Sequence, residues 1–134
     1  MRKFLFVVAA VMLNDRGEIL LTERPSGKSL AGLWEFPGGK VEAGEKPALA
    51  LVRELKEEIH IDADAADCVP LTFVEFDYPD STLFMPLYRV MKWRGDVVPQ
   101  EGQHYAWVPL DKLSEYPVPP ADEEVIRLLP GMLK

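Results

Sequence analysis

Cysteine is nearly absent from this 134-residue chain, in which Cys68 is the single one. An internal disulfide is therefore excluded, and this composition is compatible with a reducing compartment such as the cytoplasm. Long apolar runs are also missing. The N-terminal run over residues 4–13 is too short to span a membrane, and its β-branched and aromatic residues favour a buried strand over a signal peptide. We therefore predict a cytoplasmic protein that does not engage a membrane.

Positive charge is in short supply as well. The chain has 15 Lys and Arg residues against 22 Asp and Glu residues, which gives a formal net charge of −7. Proteins that bind nucleic-acid polymers carry a basic surface, so this class of partner is excluded. A phosphorylated small molecule stays compatible with the acidic chain, because a bound metal ion can supply the positive charge that phosphates attract.

The length and a hydrophobic content of 48% fit a single globular domain over residues 1–134. Apolar, β-branched and aromatic segments predict strands over residues 4–13, 18–24, 34–36, 69–76, 83–93 and 104–108. Helical segments are predicted over residues 47–59, 110–116 and 121–129, and a loop over residues 25–33. Strands with at least two helices among them indicate a mixed α/β class.

The stretch over residues 38–61 organises the chain, because a glycine pair, an acidic loop and a helix follow one another there. At about 100° per residue, Glu54, Glu57 and Glu58 fall within an arc of roughly 100° on the helix. Carboxylates crowded in this way repel each other unless a cation lies between them, and Mg²⁺ prefers oxygen ligands. The neighbouring arc is apolar and predicts a core-facing surface made of Ala48, Leu51, Val52, Leu55 and Ile59.

The ends of this stretch carry their own signals. Gly38 and Gly39 are predicted to form a turn with backbone conformations that are closed to other residues. Pro47 suits the first turn of the helix. His60 stands where a glycine would be the expected terminator, and left-handed backbone there costs about 1 kcal/mol.

The spacing of these residues resembles the signature of the Nudix family. Gly39 is followed after five residues by Glu45, and after seven more by the run from Arg53 to Ile61, whose one departure from the signature is His60. The resemblance implies a Nudix α/β/α sandwich with a mixed β-sheet. It also implies Mg²⁺-dependent hydrolysis of a nucleoside diphosphate linked to another group, with Mn²⁺ as a possible substitute ion.

The resemblance further implies roles for individual residues. Arg53 would be a catalytic residue that orients the carboxylates or pairs with Glu45. A carboxylate would take the proton from the attacking water, and Glu54 and Glu101 are both plausible as this base. Glu101 would also supply an additional ligand, or would simply be an exposed loop residue. The metal ligands implied on the signature itself are Gly38 through its carbonyl, Glu54, Glu57 and Glu58.

Similarity to the MutT subgroup of the family extends over residues 35–40, 101–103 and 116–122. It implies hydrolysis of oxidised purine nucleoside triphosphates, 8-oxo-dGTP above all, to the monophosphate and pyrophosphate, and hence a role in nucleotide pool sanitisation and DNA repair. Asp122 stands where MutT has Asn. An ionised Asp only accepts hydrogen bonds, whereas a protonated one also donates. Asp122 therefore suits either a cytosine amino group or an oxidised purine.

Five residues are candidates for substrate binding, and each has a purely structural alternative. Arg24 would lie near the nucleotide or at a surface strand end, and Lys40 would contact phosphate or solvent. Tyr78 and Phe84 would stack on a base or pack in the core. Asp122 would contact the base or cap a helix.

Three alternatives to the oxidised-purine hypothesis remain at this stage. The first is hydrolysis of CTP or 5-methyl-dCTP. The second is a non-catalytic Nudix module that binds a nucleotide or another protein, although such modules usually lose the carboxylates that this chain retains. The third is another Nudix substrate, such as a nucleotide sugar, which no long insertion supports. The sequence does not decide between a monomer and a dimer.

Overall fold

The computed structural model describes residues 2–27 and 30–133, so Lys28 and Ser29 of the predicted loop lie outside the described residues. Within these residues the longer helices are α1 (Pro47–Ile59) and α2 (Pro120–Met132). Short 3-10 helices in the same part of the chain span Ala65–Asp67 and Leu110–Glu115. The strands are β1 (Lys3–Met12), β2 (Glu18–Glu23), β3 (Trp34–Glu35), β4 (Gly38–Lys40), β5 (Cys68–Tyr78), β6 (Ser81–Val90) and β7 (Tyr105–Pro109).

The strands form two sheets. The larger sheet has the order β4-β1-β6-β5, with β1 parallel to β6 and the other pairs antiparallel. The smaller sheet is antiparallel and has the order β3-β2-β7. The parallel pair makes the larger sheet mixed, as expected from the sequence.

Successive residues of β1 point to opposite faces of the larger sheet and enter two different hydrophobic clusters. Val8 and Ala10 pack in one cluster with the buried face of α1. Ala9 and Val11 pack in the other with the buried face of α2. The two helices therefore cover opposite faces of the sheet, which confirms the predicted α/β/α arrangement.

Helix α1 has the predicted bounds, with Pro47 at its start. Its buried residues follow the helical spacing. Burial of each large apolar side chain stabilises the fold by roughly 2 kcal/mol. These residues are Ala50, Leu51, Leu55 and Ile59. The polar face of the same helix is consequently held in a fixed orientation, which determines where its carboxylates point.

Helix α1 ends in left-handed backbone at His60, with φ 63° and ψ 31°. The backbone N–H of His60 donates to Lys56, and that of Ile61 donates to Leu55. These two bonds satisfy carbonyl groups that a helix end would otherwise leave without partners. The prediction of a left-handed histidine at this position is confirmed.

The predicted turn at Gly38 and Gly39 is wrong, because both residues belong to strand β4. Gly38 is paired with Ala9 and Gly39 with Val8 of β1. Neither glycine has a positive φ. Conformational freedom is therefore not the reason for glycine at these two positions, and the reason lies in the space around them.

The other elements match the predictions to within a few residues. Strand β6 begins earlier and ends earlier than the predicted 83–93 segment. Helix α2 extends to Met132, beyond the predicted end at residue 129. No helix in the part of the chain that the structure describes is long and apolar enough to cross a membrane.

Replacing His60 by Gly is expected to stabilise the protein by about 1 kcal/mol, because glycine adopts left-handed backbone without the Cβ clash. Urea denaturation monitored by circular dichroism measures the change in unfolding free energy. His60→Ala is the matched control, since alanine keeps the Cβ and should gain nothing. Equal stability of His60→Gly and His60→Ala would contradict the strain at this position.

Candidate active site

Arg53 joins helix α1 to the acidic loop that precedes it. Its Nε and Nη2 atoms donate to the two carboxylate oxygens of Glu45, at 2.8 and 3.0 Å. Nη2 also donates to the carbonyl oxygen of Lys40 at 3.0 Å. This two-point contact, helped by the backbone N–H of Glu42, lowers the pKa of Glu45 to about 2. The same contact raises the pKa of Arg53.

The remaining nitrogen of Arg53 reaches the carboxylates of the helix. Nη1 lies 2.9 Å from an oxygen of Glu54 and 3.1 Å from an oxygen of Glu57. The sequence left open whether Arg53 orients the carboxylates or pairs with Glu45, and the structure shows both contacts. One guanidinium therefore holds three carboxylates and the end of β4 in a single arrangement.

The two glycines of β4 leave space that other residues would fill. A Cβ atom on Gly39 would lie 2.2 Å from Oε1 of Glu54, and one on Gly38 would lie 2.0 Å from the carbonyl oxygen of Val8. Both distances are far below van der Waals contact. The absence of a Cβ on Gly39 thus allows the Glu54 carboxylate to lie against β4. The absence of a Cβ on Gly38 allows the backbone of β1 at Val8 to approach closely.

Glu58 lies deeper than the other two helix carboxylates. Burial, reinforced by the negative charge of Glu35, raises its pKa to about 8. The backbone N–H of Gly38 and the hydroxyl of Thr22, 3.4 Å away, oppose this rise. Burial also raises the pKa of Glu54. Partly desolvated carboxylates that crowd one another match the oxygen-rich, negatively charged environment that a hard divalent cation prefers.

Within residues 2–27 and 30–133, no three acidic, histidine or cysteine side chains stand close enough together to hold a metal ion. In this arrangement Arg53 engages Glu54 and Glu57, and Glu58 accepts a hydrogen bond from the backbone N–H of Gly38. The oxygen donors of these carboxylates fit a divalent ion, and the set of ligands stays a prediction.

A cleft of about 360 Å³ opens over these carboxylates. Arg24 lies in its wall, with Nη1 3.3 Å from a carboxylate oxygen of Glu35. The predicted residues Arg24, Glu54 and Glu101 meet here. The cleft is lined by Glu23, Arg24, Pro25, Glu35, Gly38, Gly39, Glu54, Glu57, Glu58, Gln100, Glu101 and Gln103.

A second cavity, of about 240 Å³, adjoins this acidic cleft. Its walls are mainly apolar and come from β1, β4, the end of β5, β6 and the start of α2. They include Tyr78, Leu83, Met85 and Asp122. The two cavities share four lining residues: Arg24, Glu35, Gly38 and Gly39. An elongated ligand with a charged end and a flat apolar end could therefore occupy both.

Asp122 is a buried carboxyl group in the apolar cavity, with 5% of its surface exposed. Burial, with a smaller contribution from Glu35, raises its pKa to about 7. The predicted alternative of a helix cap does not apply, because Pro119 is the N-cap residue of α2 and no side-chain cap bond is present. A carboxyl with this pKa exists in both protonated and ionised forms near neutral pH.

Two other candidates occupy different surroundings. Lys40 is exposed at the edge of the apolar cavity. Phe84 is not brought to the site, since its ring packs against Phe4, Phe6 and Phe73. Because side chains alternate along β6, Phe84 faces away from the cavity that its neighbours Leu83 and Met85 line. This placement corrects the prediction that Phe84 contacts the nucleotide.

Three residues lie at the site although no role was predicted for them from the sequence: Glu35, Thr22 and Glu23. Glu35 lines both cavities and faces Arg24. Its position directly before the Phe36-Pro37-Gly38 segment was the available signal. Thr22 and Glu23 carried no comparable signal, because their approach to α1 depends on the packing of the two sheets.

Comparison with known proteins agrees with this geometry. A family profile described as the NUDIX domain matches residues 3–129. An 8-oxo-dGTP diphosphatase from Haemophilus influenzae is 40% identical over 128 residues, which cover 96% of this chain and 93% of that protein. A CTP pyrophosphohydrolase from Escherichia coli is 38% identical over 120 residues, which cover 90% and 87%.

Among solved structures, one described with MutT from Aliivibrio salmonicida and Vibrio cholerae superimposes with a TM-score of 0.80 at 37% identity. It covers 95% of this chain, which in turn covers 97% of that structure.

The chain belongs to the Nudix family, because the profile spans nearly its whole length and relatives near 40% identity cover most of it. Within that family it is a hydrolase of the MutT type, as the structural similarity and the curated relatives agree. The family predicted from the pattern between Gly39 and Ile61 is thereby confirmed.

Gly39→Ala is expected to lower hydrolytic turnover at least tenfold, because the new Cβ displaces the Glu54 carboxylate by about 1 Å or more. Stability should change little, since that carboxylate is the end of a flexible side chain. Gly38→Ala is the matched contrast, because it meets backbone and should destabilise the fold by about 2 kcal/mol or more. Turnover assays and urea denaturation separate the two effects, and wild-type turnover in Gly39→Ala would contradict this account.

The pKa of Asp122 has a consequence for stability. Because the pKa is about 7 in the folded chain and 3.8 without burial, the folded state binds the proton more tightly between these values. Unfolding free energy should therefore fall as the pH rises from 4 to 7, by on the order of 3 kcal/mol from this group.

Asp122→Asn removes this titrating group. The unfolding free energy of the variant relative to that of the wild type should therefore increase as the pH rises. Denaturant unfolding of both proteins from pH 4 to 8 measures the difference. A difference that does not change with pH would show that Asp122 titrates normally.

Proposed function

We propose that this MutT-type hydrolase cleaves 8-oxo-dGTP, or a similarly damaged nucleoside triphosphate, to the monophosphate and pyrophosphate. The observation that carries the proposal is the junction of an acidic cleft and an apolar cavity through Arg24, Glu35, Gly38 and Gly39. A triphosphate with a bound metal ion suits the acidic cleft, and a nucleotide base suits the apolar cavity.

The acidic cleft would hold Mg²⁺, and Mn²⁺ could substitute for it. The residues that would bind the ion share oxygen donors and a place on the cleft wall: the Gly38 carbonyl, Glu54, Glu57, Glu58 and Glu101. When bound, such an ion polarises phosphoryl oxygens and lowers the pKa of a coordinated water. Arg53 would orient two of these ligands, because its Nη1 donates hydrogen bonds to the carboxylates of Glu54 and Glu57.

The protein's own side chains would accept the proton of the attacking water and contact the substrate. Glu54 and Glu101 both line the cleft, and either carboxylate can take the proton from the attacking water. Arg24 places positive charge in the wall between the two compartments, where it can contact a phosphate. Lys40 lies at the outer edge of the apolar cavity and can contact the same substrate from outside.

The base would lie in the apolar cavity between Tyr78 and Asp122. The pKa of Asp122, near 7, supports a protonated carboxyl that donates one hydrogen bond and accepts another. An oxidised purine offers both kinds of partner along its edge. This chemistry suits an oxidised purine, and the 8-oxo-dGTP diphosphatase that is 40% identical to this chain supports the same choice.

Hydrolysis of CTP or 5-methyl-dCTP is the second candidate. The Escherichia coli relative that is 38% identical is a CTP pyrophosphohydrolase. The ionised form of Asp122 would accept a hydrogen bond from a cytosine amino group. We propose that the protein works in the cytoplasm and, where the substrate is a damaged or modified deoxynucleoside triphosphate, removes it before it enters DNA.

A substrate panel tests the proposal directly. Turnover of 8-oxo-dGTP, dGTP, CTP and 5-methyl-dCTP should be measured with Mg²⁺ and again with Mn²⁺. We expect 8-oxo-dGTP to have the highest kcat/KM, and Asp122→Asn to change the ratios among the four by about tenfold or more, because a lost or altered base contact costs 1–3 kcal/mol. Unchanged ratios would remove Asp122 from base recognition.

Glu57→Gln provides the control for this panel, since it removes one proposed ligand from an exposed side chain and should leave the fold intact. Its turnover should drop by about a hundredfold or more. Wild-type turnover in Glu57→Gln would instead support a non-catalytic module contaminated by another hydrolase.

A further inference from the structure

The loop that carries Glu101 is attached to the last turn of helix α1. The backbone N–H of Val98 donates to the carbonyl of Ile59, and that of Gln100 donates to the carbonyl of Glu58, both at 2.9 Å. Carbonyl groups at a helix end need partners from outside the helix, and this loop supplies two of them. The loop is therefore fixed to the helix that carries the proposed metal ligands.

The other end of the loop is attached to strand β2. The backbone N–H of Glu23 donates to the carbonyl of His104 at 2.9 Å. The imidazole Nδ1 of His104 also lies 3.0 Å from a carboxylate oxygen of Glu23. Because Glu23 lines the acidic cleft, both attachments hold the loop at the rim of the site.

Between these attachments the chain turns sharply, and one side chain closes the turn. Gly102 has φ 70°, which suits glycine and reverses the direction of the backbone. The side-chain Oε1 of Gln103 then accepts a hydrogen bond from the backbone N–H of Glu101 at 3.0 Å. The side chain of Gln100 donates to the carbonyl of Val98 at 2.7 Å, which stiffens the preceding part of the loop.

We propose that Gln103 is a positioning residue that directs Glu101 into the acidic cleft by holding its backbone N–H. This inference rests on the proposed function, in which the Glu101 carboxylate takes part in the reaction. Glu101 is exposed, and a loop carboxylate on an unrestrained backbone would spend much of its time in solvent. The side chain of Gln103, which lies in the cleft wall itself, restricts that freedom through its hydrogen bond with the Glu101 backbone.

Gln103→Met tests the proposal, because methionine has a similar length but offers no comparable acceptor. We expect kcat to fall about tenfold with little change in KM, since the positioning of a reacting group is impaired and substrate contacts are not. Gln103→Glu is the rescue variant. Its carboxylate oxygen can accept the same hydrogen bond, so it should recover most of the kcat lost in Gln103→Met.

A double-mutant cycle with Glu101→Gln shows whether Gln103 acts through Glu101. The loss in kcat caused by Gln103→Met should nearly disappear in the Glu101→Gln background. An equal loss in both backgrounds would overturn the inference, and so would a Glu101→Gln variant with wild-type kcat.

Amide hydrogen exchange measured by NMR gives a readout that does not depend on activity. The Glu101 amide should exchange severalfold faster in Gln103→Met than in the wild type, while the Val98 and Gln100 amides should change little. Unchanged exchange at Glu101 would overturn the inference even if the proposed function holds. A folded wild type that hydrolyses no nucleotide of the panel would overturn the proposed function, and the catalytic purpose of the contact with it.

Discussion

The contact between Arg53 and Glu45 is the interaction on which the site depends. Several carboxylates on one face of a helix repel each other, and Arg53 offsets this repulsion while tying the helix to the loop and to β4. The two-point geometry matters as much as the charge, because a planar guanidinium matches a carboxylate and is thereby held in one orientation. Glu54 and Glu57 are arranged around that fixed point.

The larger sheet separates two chemical environments, the acidic cleft and the apolar cavity. Strand β1 buries Val8 against the helix that carries the carboxylates and Ala9 against the side that forms the apolar cavity. Gly38 and Gly39 lie beside these residues with no side chains and so connect the two compartments. A substrate with a charged end and an apolar end can be held by opposite properties of one short region.

The outcome at particular residues shows where inference from sequence fails. Gly38 and Gly39 were predicted as a turn because glycine permits unusual backbone, yet the structure uses them for the absence of a Cβ. Phe84 was a plausible stacking residue by composition, but the alternation of side chains along β6 turns it to the other face. In both cases the residue type was informative, but its role is decided by residues elsewhere in the sequence. These are Val8 and Glu54 for the two glycines, and Phe4 and Phe6 for Phe84.

The sequence by itself determined the bounds of α1, its left-handed end at His60, the family and the position of Glu54, Glu57 and Glu58 on the side of the helix that lines the cleft. These features depend on spacing within one helix, where the backbone geometry relates each residue to the next few. Only the tertiary structure decided that Glu35 and Asp122 line the same cavity and that the Glu101 loop is bound to α1. Those arrangements join residues about 40 to 90 positions apart, and they follow from strand order and sheet packing, which local spacing does not encode.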